Sequence, residues 1–237
     1  MSRSEKKMWF FAIDRGGTFT DIIGVDPEGK THSLKLLSLS KEYTDPAIEG
    51  IRRMMGIPAE SPIPEDKVSR IRMGTTVATN ALLERKGTPT ALFITKGFSD
   101  LLEIGNQARP DLFALAVKKP EQLYSNVREV EERLDHEGNV VRDLDESVLR
   151  KDLEEVMNSG ITSLAIVLMH SWKNGAHESR VAEIALDFGF DQISVSHKIM
   201  PLIKIVGRGQ TTAVDAYLSP VLFEYMQSVK KETGSIP

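Results

Sequence analysis

The stretch Asp14-Arg15-Gly16-Gly17-Thr18-Phe19-Thr20-Asp21 has the residue types of an anion-binding turn. Gly16 and Gly17 can take positive φ and let a ligand approach the backbone closely. Consecutive N–H groups in such a turn can point into one concavity and bind phosphate. Thr18 and Thr20 add hydroxyl donors, and Arg15 can add charge facing a phosphate or a substrate. Asp14 can hold Mg²⁺ through water, because that ion keeps most of its waters and takes one or two carboxylates. A plain glycine hairpin would lack these flanking groups. Here Asp precedes the glycines, Thr follows them and a second Asp closes the turn, which favours phosphate binding.

Further candidates lie downstream. Gly74-Thr75-Thr76 precedes a predicted helix, so Thr75 can cap it and its first N–H groups can face an anion. Thr76, Thr79 and Asn80 would then wall a substrate or phosphate pocket, although an ordinary N-cap explains the same residues. Arg109 can grip a substrate carboxylate or pair with Asp111, Asp100 or Glu103 on the surface. His170 follows an apolar strand, where open α/β sheets place ligands. It can serve as base or donor, or can bond to the backbone. His177-Glu178 reads as helix-end electrostatics, and Thr211 or Thr212 as the cap of the last helix. No His-x-x-x-His spacing occurs, which argues against a transition-metal site.

The elements that would carry these residues follow from periodicity. Residues 8–13, 20–25 and 31–39 read as three strands in an antiparallel meander. Asp45-Pro46 opens a helix that closes at Gly56. Strands follow at 68–73 and 90–95, with a helix over 75–85 that ends at Gly87. Residues 127–134 and 139–142 predict a hairpin around Glu137-Gly138. Helices are expected over 145–157, 177–187 and 211–230, and strands over 163–169 and 192–196. A meander followed by helix-strand crossovers predicts an α/β fold, a mixed sheet with helices on both faces. That order matches the ribonuclease-H-like fold of the actin, sugar-kinase and chaperone ATPase superfamily.

The chain has 237 residues, a net charge of -4 and 41% hydrophobic residues, enough for a sizeable core. Its scattered Lys and Arg argue against nucleic acid as a partner. The absence of cysteine excludes disulfides, thiolate nucleophiles and zinc-thiolate sites within this sequence. Nothing approaches the ~20 apolar residues of a membrane helix. The polar start and short apolar run over 1–13 do not fit a signal peptide. A cytoplasmic protein with no membrane partner is the expectation.

The opening motif resembles the first phosphate loop of the hydantoinase A and 5-oxoprolinase family. Arg15, where many members carry Val, is similar to the 5-oxoprolinase branch. Arg72-Met73-Gly74-Thr75-Thr76-Val77-Ala78-Thr79-Asn80-Ala81-Leu82-Leu83-Glu84-Arg85-Lys86-Gly87 and the blocks at 97–102, 105–113, 167–171 and 208–212 with 215–220 resemble further family segments, in order. The resemblance implies an enzyme in which ATP phosphorylates the lactam oxygen of 5-oxoproline and hydrolysis yields glutamate, ADP and phosphate. ATP and Mg²⁺ are the implied cofactors, with a monovalent cation such as K⁺ a further candidate. It also implies a second phosphate turn on another lobe, and this sequence holds no second turn of that type. Residues 1–237 are therefore expected to form an amino-terminal lobe, with subdivisions near 120–145 and no activity alone. The missing carboxyl-terminal half or a partner subunit would complete it, and a homo-oligomer is expected at full length. Two other readings stay open. One is an ATP-dependent hydantoinase. The other is a non-catalytic nucleotide-binding lobe that closes on a partner.

Overall fold

In the computed structural model, residues 8–59, 61–106, 113 and 119–237 are described. Contacts divide the chain into two units, Met1–Lys86 with Val221–Pro237, and Gly87–Pro220. Residues 120–145 fall inside the second unit. No helix among the described residues is long and apolar enough to cross a membrane.

The first unit opens with β1 (Trp9–Arg15), β2 (Phe19–Val25) and β3 (Thr31–Leu37), paired antiparallel. Helix α1 (Pro46–Met55) leads to β4 (Val68–Thr75), which lies parallel to β1, and then to α2 (Val77–Leu83). The sheet order is β3-β2-β1-β4. Alternation fixes its register: Phe11, Ile13, Ile22 and Leu36 are buried on one face, and a one-residue slip would expose them all. Asp45 caps α1 by accepting from the Ala47 and Ile48 N–H groups, Pro46 occupies the first turn, and Gly56 closes the helix at φ 65°. A Cβ at Gly50 would lie 2.8 Å from Ile22 Cδ1, so glycine lets α1 press onto the sheet.

The second unit holds a parallel sheet in the order β10-β9-β5-β6. Its elements are β5 (Thr90–Thr95), α3 (Leu101–Ile104), β6 (Asn126–Val130), the hairpin β7 (Arg133–Leu134) and β8 (Val140–Arg142), α4 (Glu146–Asn158), β9 (Ser163–Val167), α5 (Ala176–Asp187), β10 (Gln192–Val195) and α6 (Ser196–Ile199). The long α7 (Ile205–Thr233) closes the chain, and its residues after Pro220 belong to the first unit. Strands β5 and β9 are buried at every position, as expected for strands covered on both faces. Phe93, Ile166, Leu153 and Val181 fill one side of this sheet, and Leu92, Val167, Leu102 and Ala213 the other.

The α/β class and mixed pairing hold. Helices cover both faces only in the second unit. In the first, α1 and the end of α7 share the face of Phe11, with Val229 packed against that core. The opposite face carries Asp14, Asp21 and Ile23, all exposed.

Three element expectations need correction. Residues 127–134 do not form one hairpin arm, because Glu132 turns inward, 1% exposed, to accept from Thr95. Helix α7 begins at Ile205, so Thr211 and Thr212 lie inside it. Their hydroxyls bond back to the carbonyls of Gly207 and Arg208, a pattern open to Thr within helices. Helix α2 starts at Val77, because Thr75 still pairs with Arg15 in the sheet. It ends before Arg85, at φ 56°, and not at Gly87. Gly87 packs against Tyr217, where a Cβ would collide with the ring.

Candidate phosphate and cation site

The turn between β1 and β2 is tied from behind. The Gly16 N–H donates to the Phe19 carbonyl at 3.0 Å, and the Ser38 N–H donates to the Thr18 carbonyl at 2.9 Å. The Ser38 hydroxyl donates to the Gly16 carbonyl at 2.7 Å and lies 3.0 Å from the Thr20 hydroxyl. Among the described residues the N–H groups of Gly17 and Thr18 have no backbone partner, and both residues are exposed. These are the donors an anion needs.

The glycines act through space. Neither Gly16 nor Gly17 takes positive φ, contrary to the expectation from their type. A Cβ at Gly16 would sit 2.9 Å from the Phe19 carbonyl oxygen, and one at Gly17 would sit 2.9 Å from Asn80 Nδ2. Asn80 therefore lies beside the turn, with its amide donating to the Thr76 hydroxyl at 3.2 Å. Thr76 is itself joined to β1, its N–H donating to the Arg15 carbonyl at 3.0 Å. Gly74 is the register partner of Asp14, and a Cβ there would stand 3.7 Å from Asp14 Oδ1. Asp14, Gly16, Gly17, Thr18, Gly74, Thr76 and Asn80 thus come together at one end of the sheet.

Asp14 is exposed and has no ion pair among the described residues. Its direct cross-strand partner is another carboxylate, Asp21, a like-charge pairing that costs stability. Asp21 is partly neutralised by Lys35 at 2.9 Å. No group of three or more metal-ligating side chains occurs among the described residues. One free carboxylate with a second opposite suits Mg²⁺ that retains its waters better than a metal needing a full protein cage.

Three expected site residues point elsewhere. The Arg15 guanidinium pairs with Asp45 at 3.0 Å and lies 4.3 Å from the centre of the Tyr225 ring. Burial raises the Tyr225 hydroxyl above its usual range, with Arg15 opposing. Thr20 is fully buried, on the face opposite Asp14. Thr75 also faces that side, its hydroxyl accepting from the Val77 N–H at 3.2 Å. In β-strands neighbouring residues alternate between faces, so Arg15 and Thr75 turn away from Asp14 and Gly74. Arg109 lies outside the described residues.

His170 belongs to the second unit and adopts φ 59°, an uncommon conformation for a residue with a Cβ. The turn around it is braced by buried polar groups. The Met169 N–H donates to the Thr95 hydroxyl at 2.8 Å, and Glu178 accepts from the Leu168 N–H at 2.7 Å. Glu178 also accepts from Ser196 and from the His197 N–H, while His197 Nδ1 lies 2.7 Å away. Fully buried Arg208 donates to the Leu168 carbonyl at 2.7 Å and to Ser196 at 2.8 Å. His177 faces Glu132 at 2.8 Å. The pair His177-Glu178 therefore serves internal networks, a correction to the helix-end reading. Burial works to raise the Glu178 carboxyl, but its bonds to His197, Ser196 and Leu168 outweigh that and hold it below the usual value.

Ser38, Asp45, Glu132 and Arg208 carry roles that sequence reasoning missed. The sequence marked Asp45 only as the opening of α1 and Arg208 only through the five-residue run ending at Thr212, and nothing local marked Ser38 or Glu132.

The chain matches the family described as hydantoinase/oxoprolinase N-terminal region over residues 10–189. It is 48% identical to 5-oxoprolinase 1 of Arabidopsis thaliana, over 91% of this chain and 19% of that protein. It is 41% identical to the 5-oxoprolinase of Dictyostelium discoideum, over 95% of this chain and 20% of that protein. The crystal structure of an ATP-dependent caprolactamase from Pseudomonas jessenii superposes with a TM-score of 0.75 at 28% identity, covering 93% of this chain and 33% of that one. The chain thus spans about a fifth of the length of these curated relatives. With the match extending over most of its residues, the chain belongs to the hydantoinase/oxoprolinase family and represents its N-terminal region.

Proposed function

We propose that this chain supplies the first phosphate-binding lobe of an ATP-dependent cyclic amide hydrolase that opens 5-oxo-L-proline to L-glutamate. The observation that carries this reading is the cluster at the end of β1. Free N–H groups on Gly17 and Thr18, the Thr18 hydroxyl and the Asn80 amide lie at the same end of the sheet as an Asp14 carboxylate without an ion pair among the described residues. Strand order β3-β2-β1-β4, with a meander followed by a parallel strand, supports a ribonuclease-H-like lobe. In that fold the turn after β1 faces a nucleotide phosphate.

The chemistry needs such a site. A lactam oxygen is a poor leaving group, and transfer of the γ-phosphoryl group to it makes the ring carbon electrophilic. Water then adds to that carbon and the C–N bond breaks with a proton passing to nitrogen, which leaves an acyl phosphate; a second water hydrolyses this to the carboxylate and releases phosphate. Phosphoryl transfer relies on positioning and charge stabilisation more than on a protein nucleophile. Gly17 and Thr18 would hold phosphate oxygens. Asp14 would hold Mg²⁺ through water, and that ion when bound would offset phosphate charge. No residue here is assigned to K⁺. Arg15 and Thr20 support the turn from its other face, a revision of their expected phosphate role.

A second lobe, on the same polypeptide or a partner subunit, would complete the cleft, and the relatives' greater length supports this. The test is ADP release by the full-length protein with 5-oxoproline or with hydantoin. Release driven by 5-oxoproline, with none from the 237-residue chain, is expected. Release driven only by hydantoin, or turnover by the short chain at the full-length rate, contradicts the proposal.

A further inference from the structure

Strands β5 and β9 are parallel neighbours at the centre of the second unit's sheet. The chain leaves β5 through α3, whose Leu102 joins the core of Leu92 and Val167. It leaves β9 through α5, whose Val181 and Ile184 join the core of Phe93 and Ile166 on the other face. Where neighbouring parallel strands send their connections to opposite faces, their carboxyl ends flank a crevice, and open α/β sheets bind ligands there. Towards β6 the end of β5 is closed. The Lys96 N–H donates to the Val130 carbonyl at 3.0 Å, and Arg133 donates to the Lys96 carbonyl at 2.9 Å. Beyond β9 the chain reaches His170, three residues after Val167.

The left-handed backbone of His170, at φ 59°, is a strain that persists only where the surrounding structure imposes it, and such strain gathers at ligand sites. Thr95, Glu178 and Arg208 impose it here by bonding the backbone of Leu168 and Met169. The His170 carbonyl accepts from the Lys173 and Asn174 N–H groups at 2.9 and 3.3 Å. Two groups are left over. The His170 N–H and its partly buried imidazole have no hydrogen-bond partner among the described residues. A purely structural turn would need neither the strain nor the ring, because glycine adopts this backbone freely.

We propose that the imidazole and N–H of His170 bind a small carboxylate at the carboxyl ends of β5 and β9, wholly within the second unit. Two donors match the two oxygens of one carboxylate. A phosphate asks for more donors and more charge. Neither nearby cation is spare for it: Lys96 pairs with Glu131, and buried Arg208 is bonded to the Leu168 carbonyl and to Ser196. The site uses no residue of the Asp14 turn and does not depend on the reaction proposed above.

The test is calorimetric titration of the full-length protein without nucleotide. The carboxylate probes are 5-oxo-L-proline and L-glutamate, and 2-pyrrolidinone is the same lactam ring without the carboxylate. At least one carboxylate probe is expected to bind, and 2-pyrrolidinone to bind about tenfold more weakly or not at all. His170→Gly keeps the left-handed turn and removes the ring, so it should weaken carboxylate binding about tenfold or more with a melting temperature close to that of the unaltered protein. His170→Asn, which tolerates the same backbone and keeps a donor, should retain part of the affinity. Carboxylate binding by a folded His170→Gly protein as tight as that of the unaltered one overturns the proposal. So does the absence of binding by both carboxylates, or tighter binding of inorganic phosphate that His170→Gly removes.

Discussion

At the residue scale, the pairing of Asp14 with Asp21 across two strands costs stability that a cation would return. Asp14→Asn should therefore raise the stability of the isolated chain by roughly 0.2–1 kcal/mol while weakening Mg²⁺-dependent nucleotide binding. Thermal unfolding and calorimetric titration would check the two halves separately. Arg15 gives the opposite pattern. Held by Asp45 and Tyr225, it joins β1 to α1 and α7 inside the first unit. Arg15→Met should lower stability by about 1 kcal/mol and leave nucleotide affinity unchanged. A large loss of affinity with no loss of stability would restore the phosphate role suggested by its position in the motif. Asp14, Gly16, Gly17 and Thr18 were legible in the sequence because the turn is local. The facing of Arg15 and Thr20 was not, since it depends on Asp45 and Ser38, 30 and 18 residues away.

At the element scale, α1 was legible to the residue because Asp45, Pro46 and Gly56 mark both ends chemically. Ile51 on its inner face is fully buried, so Ile51→Ala should cost about 2–5 kcal/mol, measurable by denaturant unfolding. The hairpin near 127–142 was legible only in its tip. Its first arm breaks where Glu132 turns in towards Thr95 and His177, and periodicity carries no sign of a buried partner. The start of α7 was missed because Thr211 and Thr212 resemble caps, whereas the helix begins six residues earlier, at Ile205, and carries the buried Arg208 in its first turns. Glu178 predicts a pH response. Its carboxyl is held below the usual value of 4.5, so its stabilising contribution is present above that value and lost as pH falls through the lower, folded one. Glu178→Gln should flatten the acid limb of the stability profile in the second unit, read by tryptophan fluorescence at Trp172.

At the scale of the whole molecule, two units and a chain about one fifth the length of its relatives bound what this region does alone. The blocks after position 70 identified the family well, since several segments in order are far more specific than one glycine turn. The division at Lys86 and Pro220 was not legible, because β5 follows α2 after a short connection and α7 runs through the second boundary without a break. The most direct measurement is 5-oxoproline-dependent ADP release by the full-length protein carrying Asp14→Asn. The account predicts a fall in kcat on the order of 10²-fold or more, with a melting temperature equal to or above that of the unaltered protein. A kcat close to the unaltered value in a folded Asp14→Asn protein would contradict it.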